Sequence, residues 1–295
     1  KAIRRQRQMC IRDSARVVWT MHDFKLLCPS YLCLSPSGQP CEKCFRDKMQ
    51  VVRHRCMKGS VAASVAAWLE ALVWSRDRLV RDVDMFICPS AFMRSRMLEC
   101  GYPAGKLTVL NNFVEDGAEP VVARKREYCY VGRLSREKGV ETLLAAASTL
   151  PYRLHVAGEG PLFSELSNRY SACPQILFHG RLPQESVRRL LSEVTFSVIP
   201  SEWYENNPLG VLESLDAGTP VVASRIGGLP EIVDEGSGIL FEPGDTASLR
   251  AAVTSAMERQ WNHDVIKVGA RRFSPHDHYK KLCNIYNDLT DTADL

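Results

Sequence analysis

Two cations stand in a loop that begins and ends with glycine, directly after an apolar run. They are Arg133 and Lys138, between Gly132 and Gly139. Glycine lets the backbone approach a ligand closely, and two cations beside a helix N-terminus suit a diphosphate. A solvated surface loop can have the same composition, so this loop is weak evidence alone. A lone Gly-x-Gly, Gly158-Glu159-Gly160, also follows an apolar run and is weaker evidence still.

The strongest chemical signal is a pair of glutamates around the predicted start of a helix. Seven residues separate Glu205 from Glu213, and Pro208 stands between them. Because proline suits the first turn of a helix, the free N–H groups of Leu209 and Gly210 would face a phosphate. Carboxylates do not neutralise phosphates, but they accept hydrogen bonds from sugar hydroxyls. Taken singly, Glu205 would be an exposed loop acid and Glu213 a solvated helix residue.

Four cysteines form a C-x12-C-x2-C-x11-C pattern inside a loop that is rich in turn-forming residues. They are Cys28, Cys41, Cys44 and Cys56, and Cys33 is left outside the pattern. A Cys-x-x-Cys pair with two further thiols suits a tetrahedral zinc ion, which would be structural because all four ligand positions are filled. Buried free thiols are the main alternative, and redox or disulfide chemistry is the third.

An Asp-x-Asp sequence at Asp82 and Asp84 has the form of a metal–diphosphate site. It precedes an apolar run, whereas open α/β sheets bind ligands beyond the carboxyl ends of their strands. We therefore interpret Asp82 as the end of a helix, and we expect the chemistry of this chain to need no metal ion.

Residues 121–275 must supply the strands and helices that position the loops with Arg133, Lys138 and Gly158. Short β-branched runs alternate there with helical patterns of about 10–15 residues, which is typical of a parallel sheet covered on both faces. The predicted strands are Glu127–Val131, Tyr152–Ala157, Ile176–His179, Phe196–Pro200, Pro220–Ala223 and Gly238–Phe241. The predicted helices lie at about 139–149, 161–170, 184–192, 208–217, 229–234 and 246–257. Six such strands make a complete nucleotide-binding type of unit.

Residues 15–120 show only about three strands of the same kind and predict an incomplete domain of similar type. Strands are expected at 16–20, 85–88 and 107–110, with helices at about 60–81 and 91–99. The cysteine-rich loop, residues 28–56, follows the first strand. A polar stretch at 115–127 is the predicted linker.

The two ends of the chain carry separate predictions. A last helix is expected over 277–291, within a terminal segment 276–295. Residues 1–14 resemble a translated sequencing adapter, which predicts a non-native scar joined to a gene fragment without its true N-terminus. A native basic arm is the alternative.

Composition and charge exclude several classes of protein. The chain has 295 residues, of which 45% are hydrophobic and 24% charged, and this is ordinary for a globular protein with two cores. Residues 1–14 hold five basic side chains and one acidic, and beyond them 33 basic side chains balance 33 acidic ones. Nothing therefore argues for nucleic acid. The longest apolar stretch, about 14 residues from Val61 to Trp74, is too short to cross a bilayer.

Taken together, these features resemble the retaining GT-B glycosyltransferases of family four, the glycosyl transferases of group 1. The matching segments are Val131-Gly132-Arg133-Leu134, Lys138-Gly139, Ala157-Gly158-Glu159-Gly160-Pro161, Glu205 with Glu213, Gly218–Ser224 and Gly227–Glu231. Weaker matches in the first segment are His22-Asp23, Pro89-Ser90 and Asn111-Asn112. The resemblance implies an α/β protein with two Rossmann-like domains facing each other across a cleft. The first would be incomplete here, and the last helix would return to it.

The resemblance also implies roles for the nucleotide-binding residues. Arg133 and Lys138 would bind the diphosphate and stabilise the charge on the departing nucleotide. Glu213 would hold the ribose hydroxyls, and the loop with Arg181 and Leu182 would border the nucleobase.

A second group would hold the transferred sugar and its phosphate. It comprises Glu205 and Asn207 with the backbone amides of Leu209 and Gly210, and His22 would contact the donor sugar. The implied catalytic residues are His22, Arg133, Lys138 and Glu205. The implied donor-binding residues are Gly132, Arg133, Lys138, Gly158, Arg181, Leu182, Glu205, Asn207, Leu209, Gly210 and Glu213.

The predicted function is transfer of a hexose-type sugar, with retention, from a nucleotide sugar to a cell-surface glycan or lipid-linked acceptor. UDP is favoured over GDP, and no cofactor beyond structural zinc is expected. Two alternatives stay open: a non-catalytic nucleotide-sugar-binding fragment, or another GT-B enzyme such as a nucleotide-sugar epimerase. Reduced cysteines without a secretory signal predict a cytoplasmic protein. Because residues 15–120 carry 14 basic and 11 acidic side chains, at most peripheral association with the inner face of the membrane is expected.

Overall fold

A computed structural model describes residues 15–115 and 123–291 of the chain. The predicted scar at 1–14 and part of the predicted linker lie outside these residues. The chain divides into two compact units, one reaching to Asn111 and resuming at His276, the other running from Asn112 to Pro275.

The first unit contains a three-stranded parallel sheet in its described part. Its strands are β1 (Val18–Thr20), β2 (Met85–Cys88) and β3 (Leu107–Val109), in the order β1-β2-β3. Its helices are α1 (Lys43–Arg46), α2 (Gln50–Arg53), α3 (Val61–Val73), α4 (Arg76–Asp82) and α5 (Ala91–Glu99). Asp82 is the last residue of α4, as predicted, and the Asp84 carboxylate accepts the N–H of Val17 at 2.8 Å.

The second unit is built on a six-stranded parallel sheet. Its strands are β4 (Lys125–Val131), β5 (Arg153–Ala157), β6 (Ile176–Gly180), β7 (Val194–Ile199), β8 (Val221–Ser224) and β9 (Gly238–Phe241). The helices are α6 (Val140–Ala147), α7 (Phe163–Arg169), α8 (Gln184–Glu193), α9 (Leu209–Asp216), α10 (Leu229–Ile232), α11 (Thr246–Glu258) and α12 (His263–Ala270). The last helix, α13 (Pro275–Asp291), belongs to the first unit from His276 onward. The order β6-β5-β4-β7-β8-β9 and the parallel pairing confirm the predicted α/β class.

Helices cover both faces of this sheet. On one face, Tyr128 and Phe196 stack with their ring centroids 5.2 Å apart, and the buried side chains of α6 and α11 pack around them. On the other face, Val211 of α9 and Ile266 of α12 belong to a second buried cluster. Burial on both sides explains why the strands are continuous apolar runs rather than alternating ones.

Several elements differ from the sequence-based expectation, and two of the differences concern where an element begins or breaks. The predicted single helix over 60–81 is two helices, because Ser75 has an extended backbone and its side chain caps α4 by accepting the N–H of Arg78. Strand β4 begins at Lys125, inside the predicted linker. In the described ranges no helix is both long and apolar enough to span a membrane.

Candidate nucleotide-sugar site

The strand order of the second unit creates a natural binding position. Strands β5 and β6 lie on one side of β4, whereas β7, β8 and β9 follow on the other. The order therefore reverses between β4 and β7. Loops diverge there beyond the carboxyl ends of the strands, where open α/β sheets bind their ligands.

A cavity of about 350 Å³ lies at the carboxyl ends of β4 and β5. It brings together five residues that the family resemblance assigns to binding of the nucleotide-sugar donor: Gly132, Arg133, Gly158, Arg181 and Leu182. Arg133 is exposed, and none of the described carboxylates forms an ion pair with it. The cavity therefore offers an anion a cation that is not already neutralised.

Part of the wall of this cavity is backbone, and there the close packing requires glycine at position 158. Gly158 has φ of 137°, and a Cβ atom there would lie 1.9 Å from the carbonyl oxygen of Gly132. The Gly158 N–H donates to the carbonyl of Gly180 at 2.7 Å, and the Gly132 N–H donates to Ala157 at 3.0 Å. These contacts hold the ends of β4, β5 and β6 together.

Lys138 and Glu205 form an ion pair at the carboxyl end of β7. The Lys138 Nζ lies 2.7 Å from Oε1 of Glu205, although 67 residues separate them in the chain. Lys138 ends a 3-10 helix, Arg136–Lys138, and the Glu202 N–H donates to the Glu137 carbonyl at 2.9 Å. This backbone bond ties the 3-10 helix to the loop that follows β7.

Glu205 is buried, so its interpretation as an exposed loop acid is wrong. Besides Lys138, its Oε1 accepts hydrogen bonds from Ser201 Oγ at 2.5 Å and from Trp203 Nε1 at 3.0 Å. The Lys138 ammonium also lies 5.0 Å from the centre of the Trp203 ring. The carboxylate is therefore held in one position, and the sequence assigned no role to the serine or the tryptophan that hold it.

Asn207 and the start of α9 lie next to this pair in the chain. The side-chain oxygen of Asn207 accepts the N–H of Asn112 at 2.9 Å, which leaves its Nδ2 amide as a donor. That Nδ2 is buried and has no hydrogen-bond partner among the described residues. Gly210 lies close to the end of β4, since a Cβ atom there would be 4.0 Å from the Val131 carbonyl oxygen. An unpaired buried donor is costly without a ligand.

Glu213 lies inside α9 and is half-buried rather than solvated. Burial raises the pKa of its carboxyl group above the ordinary value, and the nearby charge of Arg188 partly opposes this. The folded protein therefore binds the Glu213 proton more tightly than the unfolded chain does. Its contribution to stability is largest below the ordinary pKa of glutamate and is lost as the pH rises through the raised pKa.

We expect the substitution Glu213→Gln to stabilise the protein at pH 7.5, by about 1 kcal/mol at most, because it removes a partly buried charge. At pH 4, where the carboxyl group is largely protonated, the gain should shrink toward zero. Thermal unfolding at the two pH values measures the difference, with the exposed Glu235→Gln as the matched control. A gain equal at both pH values would contradict the electrostatic cause.

His22 and the cysteines belong to the first unit. His22 is exposed and follows β1. Hydrogen bonding to the thiols of Cys33 and then Cys44 lowers the pKa of the Cys28 thiol, so Cys33, left outside the predicted pattern, is part of the cluster. Every cysteine in the described ranges is a free thiol.

The predicted zinc set of Cys28, Cys41, Cys44 and Cys56 lies in one loop of the first unit, where electrostatic interactions link Cys56 to Cys28 and Cys41. Within residues 15–115 and 123–291, no three or more His, Cys, Asp or Glu side chains are placed to hold a metal ion. Cys28 and Cys44 are buried, whereas Cys41 and Cys56 are only half-buried. Structural zinc stays a prediction from the cysteine spacing.

Comparison with known proteins identifies the family. Residues 115–272, more than half of the chain, match the family described as "Glycosyl transferases group 1". The chain belongs to this family. Its curated relatives include a glycogen synthase of Mycobacterium tuberculosis, 36% identical over 196 residues that cover 61% of this chain and 47% of the relative. The sulfoquinovosyl transferase SQD2 of Arabidopsis thaliana is 28% identical over 226 residues, covering 70% of this chain and 44% of the relative.

Solved structures of low sequence identity share the fold. The lipopolysaccharide outer core galactosyltransferase WaaB has a TM-score of 0.66 at 18% identity, covering 95% of this chain and 77% of WaaB. HepE of Anabaena, solved with UDP and glucose, has a TM-score of 0.68 at 17% identity, covering 93% of this chain and 72% of HepE. These similarities confirm the predicted GT-B fold. The chain spans about half the length of the curated relatives it matches.

Proposed function

We propose that this group 1 chain is a retaining glycosyltransferase of family four. It would move a hexose-type sugar from a nucleotide sugar, with UDP favoured, to a cell-surface glycan or lipid-linked acceptor. The observation that carries the proposal is the unpaired, buried Nδ2 of Asn207 immediately before α9. A phosphate oxygen of the sugar donor would accept from this amide and from the first two N–H groups of α9, those of Leu209 and Gly210.

The charges around this point suit a leaving nucleoside diphosphate. The Arg133 guanidinium has no carboxylate partner in the described chain, and Lys138 is already held in place by Glu205. Both cations would stabilise the negative charge that grows on the diphosphate as the sugar leaves. Glu213 would accept hydrogen bonds from the ribose hydroxyls, as the family resemblance implies.

The related proteins support the choice of donor and acceptor. HepE was solved with UDP-glucose, and WaaB is described as an outer core galactosyltransferase. We infer a cytoplasmic protein with at most peripheral contact to the inner face of the membrane. His22 stays a candidate contact for the donor sugar, and the two cations would supply the charge needed for transfer without a metal ion.

Calorimetric titration of UDP and of GDP into the purified chain tests this proposal. We expect saturable binding of UDP that weakens at least tenfold, about 1.4 kcal/mol, in both Arg133→Ala and Glu213→Ala. Arg136→Ala is the matched control, because Arg136 is an exposed cation of the neighbouring 3-10 helix.

Folded wild-type protein that binds neither nucleotide would contradict the donor site. Binding without sugar transfer, assayed with UDP-sugars and glycan acceptors, would instead favour a non-catalytic nucleotide-sugar-binding protein.

A further inference from the structure

Three titratable side chains form a hydrogen-bonded chain across β4, β5 and β6 that the proposed chemistry does not use. Oε2 of Glu127 lies 2.8 Å from Nε2 of His155, and Nδ1 of His155 lies 2.9 Å from Nε2 of His179. The two rings are nearly parallel, at 8°, with their centroids 5.1 Å apart. Arg153 holds the other oxygen of Glu127 at 3.0 Å.

The Glu127 carboxylate determines the order of hydrogen-bond donors and acceptors along this series of three side chains. A carboxylate only accepts, so Nε2 of His155 must carry the proton that it donates to Glu127. Neutral His155 then has an unprotonated Nδ1, which accepts from the Nε2–H of His179. With His155 neutral, each member therefore determines the tautomer and orientation of the next, and His179 is the donor at the far end.

His179 is also the extra residue of a β-bulge. In the pairing of β5 with β6, Val156 lies opposite Phe178 and Ala157 opposite Gly180, so His179 has no partner on β5. Since β6 is the edge strand of the sheet, no strand of the described chain lies on its other side to fix the bulge. Bulges at edges redirect the chain and re-aim side chains. The bond to His155 is the side-chain tie that holds this bulge.

The bulge leads directly into the candidate nucleotide cavity. The Gly180 carbonyl accepts the N–H of Gly158 at 2.7 Å, and the next two residues, Arg181 and Leu182, line the cavity. A bulge that relaxed would move this carbonyl and both side chains together. The geometry of the nucleobase side of the cavity therefore depends on a bond made on the surface of the sheet.

We propose that Glu127, His155 and His179 form a positioning relay, which fixes the loop of Gly180, Arg181 and Leu182 at the nucleobase side of the cavity. The role in nucleotide binding rests on the proposed function. The role in holding the loop rests on the bulge and its hydrogen bonds alone. His179 is a positioning residue, because it acts on a ligand only through the loop that follows it.

Two substitutions of His179 distinguish loss of the relay from a general loss of stability. His179→Leu removes the donor, whereas His179→Gln keeps an N–H at about the reach of Nε2 and should restore the bond. His276→Leu, an exposed histidine in the first unit, is the matched control.

Hydrogen exchange followed by mass spectrometry reports on the loop without any ligand. We expect the Gly158 amide to exchange at least tenfold faster in His179→Leu, and at nearly the wild-type rate in His179→Gln and His276→Leu. Unchanged exchange in His179→Leu would overturn the relay, as would equally fast exchange in the Gln variant.

Nucleotide binding then tests the link to the site. The dissociation constant for UDP should rise five- to tenfold in His179→Leu and stay within twofold of wild type in His179→Gln. Binding of inorganic pyrophosphate should be the same in all variants, because the relay acts on the base side. Equal loss of UDP and pyrophosphate binding would overturn this assignment. Altered exchange in a protein whose wild type binds no UDP would support the loop-holding relay and contradict the proposed function.

Discussion

Replacing Lys138 with methionine should weaken UDP binding at least tenfold and lower any sugar transfer by about 100-fold or more. Lys138 is the cation that pairs with the buried Glu205 carboxylate, at 2.7 Å. Without it, the carboxylate stays buried with only Ser201 and Trp203 as donors. We therefore expect a loss of stability as well, of roughly 1–3 kcal/mol, because an uncompensated charge remains in a site that is partly open to solvent.

A double variant separates the two effects. Lys138→Met combined with Glu205→Gln removes both charges, so thermal unfolding should recover most of the lost stability. Binding and transfer should not recover, because the cation that faces the diphosphate is still missing. Arg136→Met is the control for loss of positive charge from the same 3-10 helix. Recovery of UDP affinity in the double variant would show that Lys138 serves only to neutralise Glu205.

The sequence predicted the second unit well, because its strands are buried on both faces. Such strands are short apolar runs that stand out between helical patterns, and β8 was located to within one residue. Arg124 shows the limit of this approach. It lies in the predicted linker, yet its guanidinium donates to the carbonyls of Leu191, Val194 and Ala217 and to the Thr219 hydroxyl. The predicted linker around Arg124 is a polar stretch, and its sequence gives no sign that this one arginine anchors the sheet.

Helix boundaries set by single capping residues were equally hard to predict. Helix α12 was not predicted at all, although the Asn262 side chain caps it by accepting the N–H of Val265. The break before α4 depends on Ser75 in the same way. Both caps are common residue types, and only the backbone conformation shows that they end or begin a helix.

In the candidate site, the sequence predicted individual residues but not the contacts between them. Residue types identified Lys138 and Glu205 separately, but their contact joins loops after β4 and β7. Nothing in the sequence distinguishes Ser201 and Trp203, whose side chains hold the Glu205 carboxylate. The cysteine loop carries the opposite lesson. Its spacing emphasised Cys41, whereas in the structure the free thiol of Cys33 is the group that most strongly lowers the pKa of the Cys28 thiol.

Substitution of Gly158 by alanine should destabilise the protein by about 2–4 kcal/mol and weaken UDP binding more than tenfold. The new Cβ atom would lie 1.9 Å from the Gly132 carbonyl oxygen, and φ of 137° is strained for any other residue. Neither atom can move aside cheaply, because both belong to backbone held by the hydrogen bonds to Ala157 and Gly180. The strands would have to separate where they form the cavity wall.

Substitutions at two further glycines distinguish the steric clash of a new Cβ atom from the strain of a positive φ. Gly180 also has a positive φ, 64°, but a Cβ atom there meets nothing within 4 Å, so Gly180→Ala should cost only about 1–2 kcal/mol. Gly105→Ala has open space and should be nearly neutral in chemical denaturation. If Gly158→Ala costs no more than Gly180→Ala, the ends of β4 and β5 can separate easily. The cavity wall would then be adaptable rather than fixed by the close contact between Gly158 and Gly132.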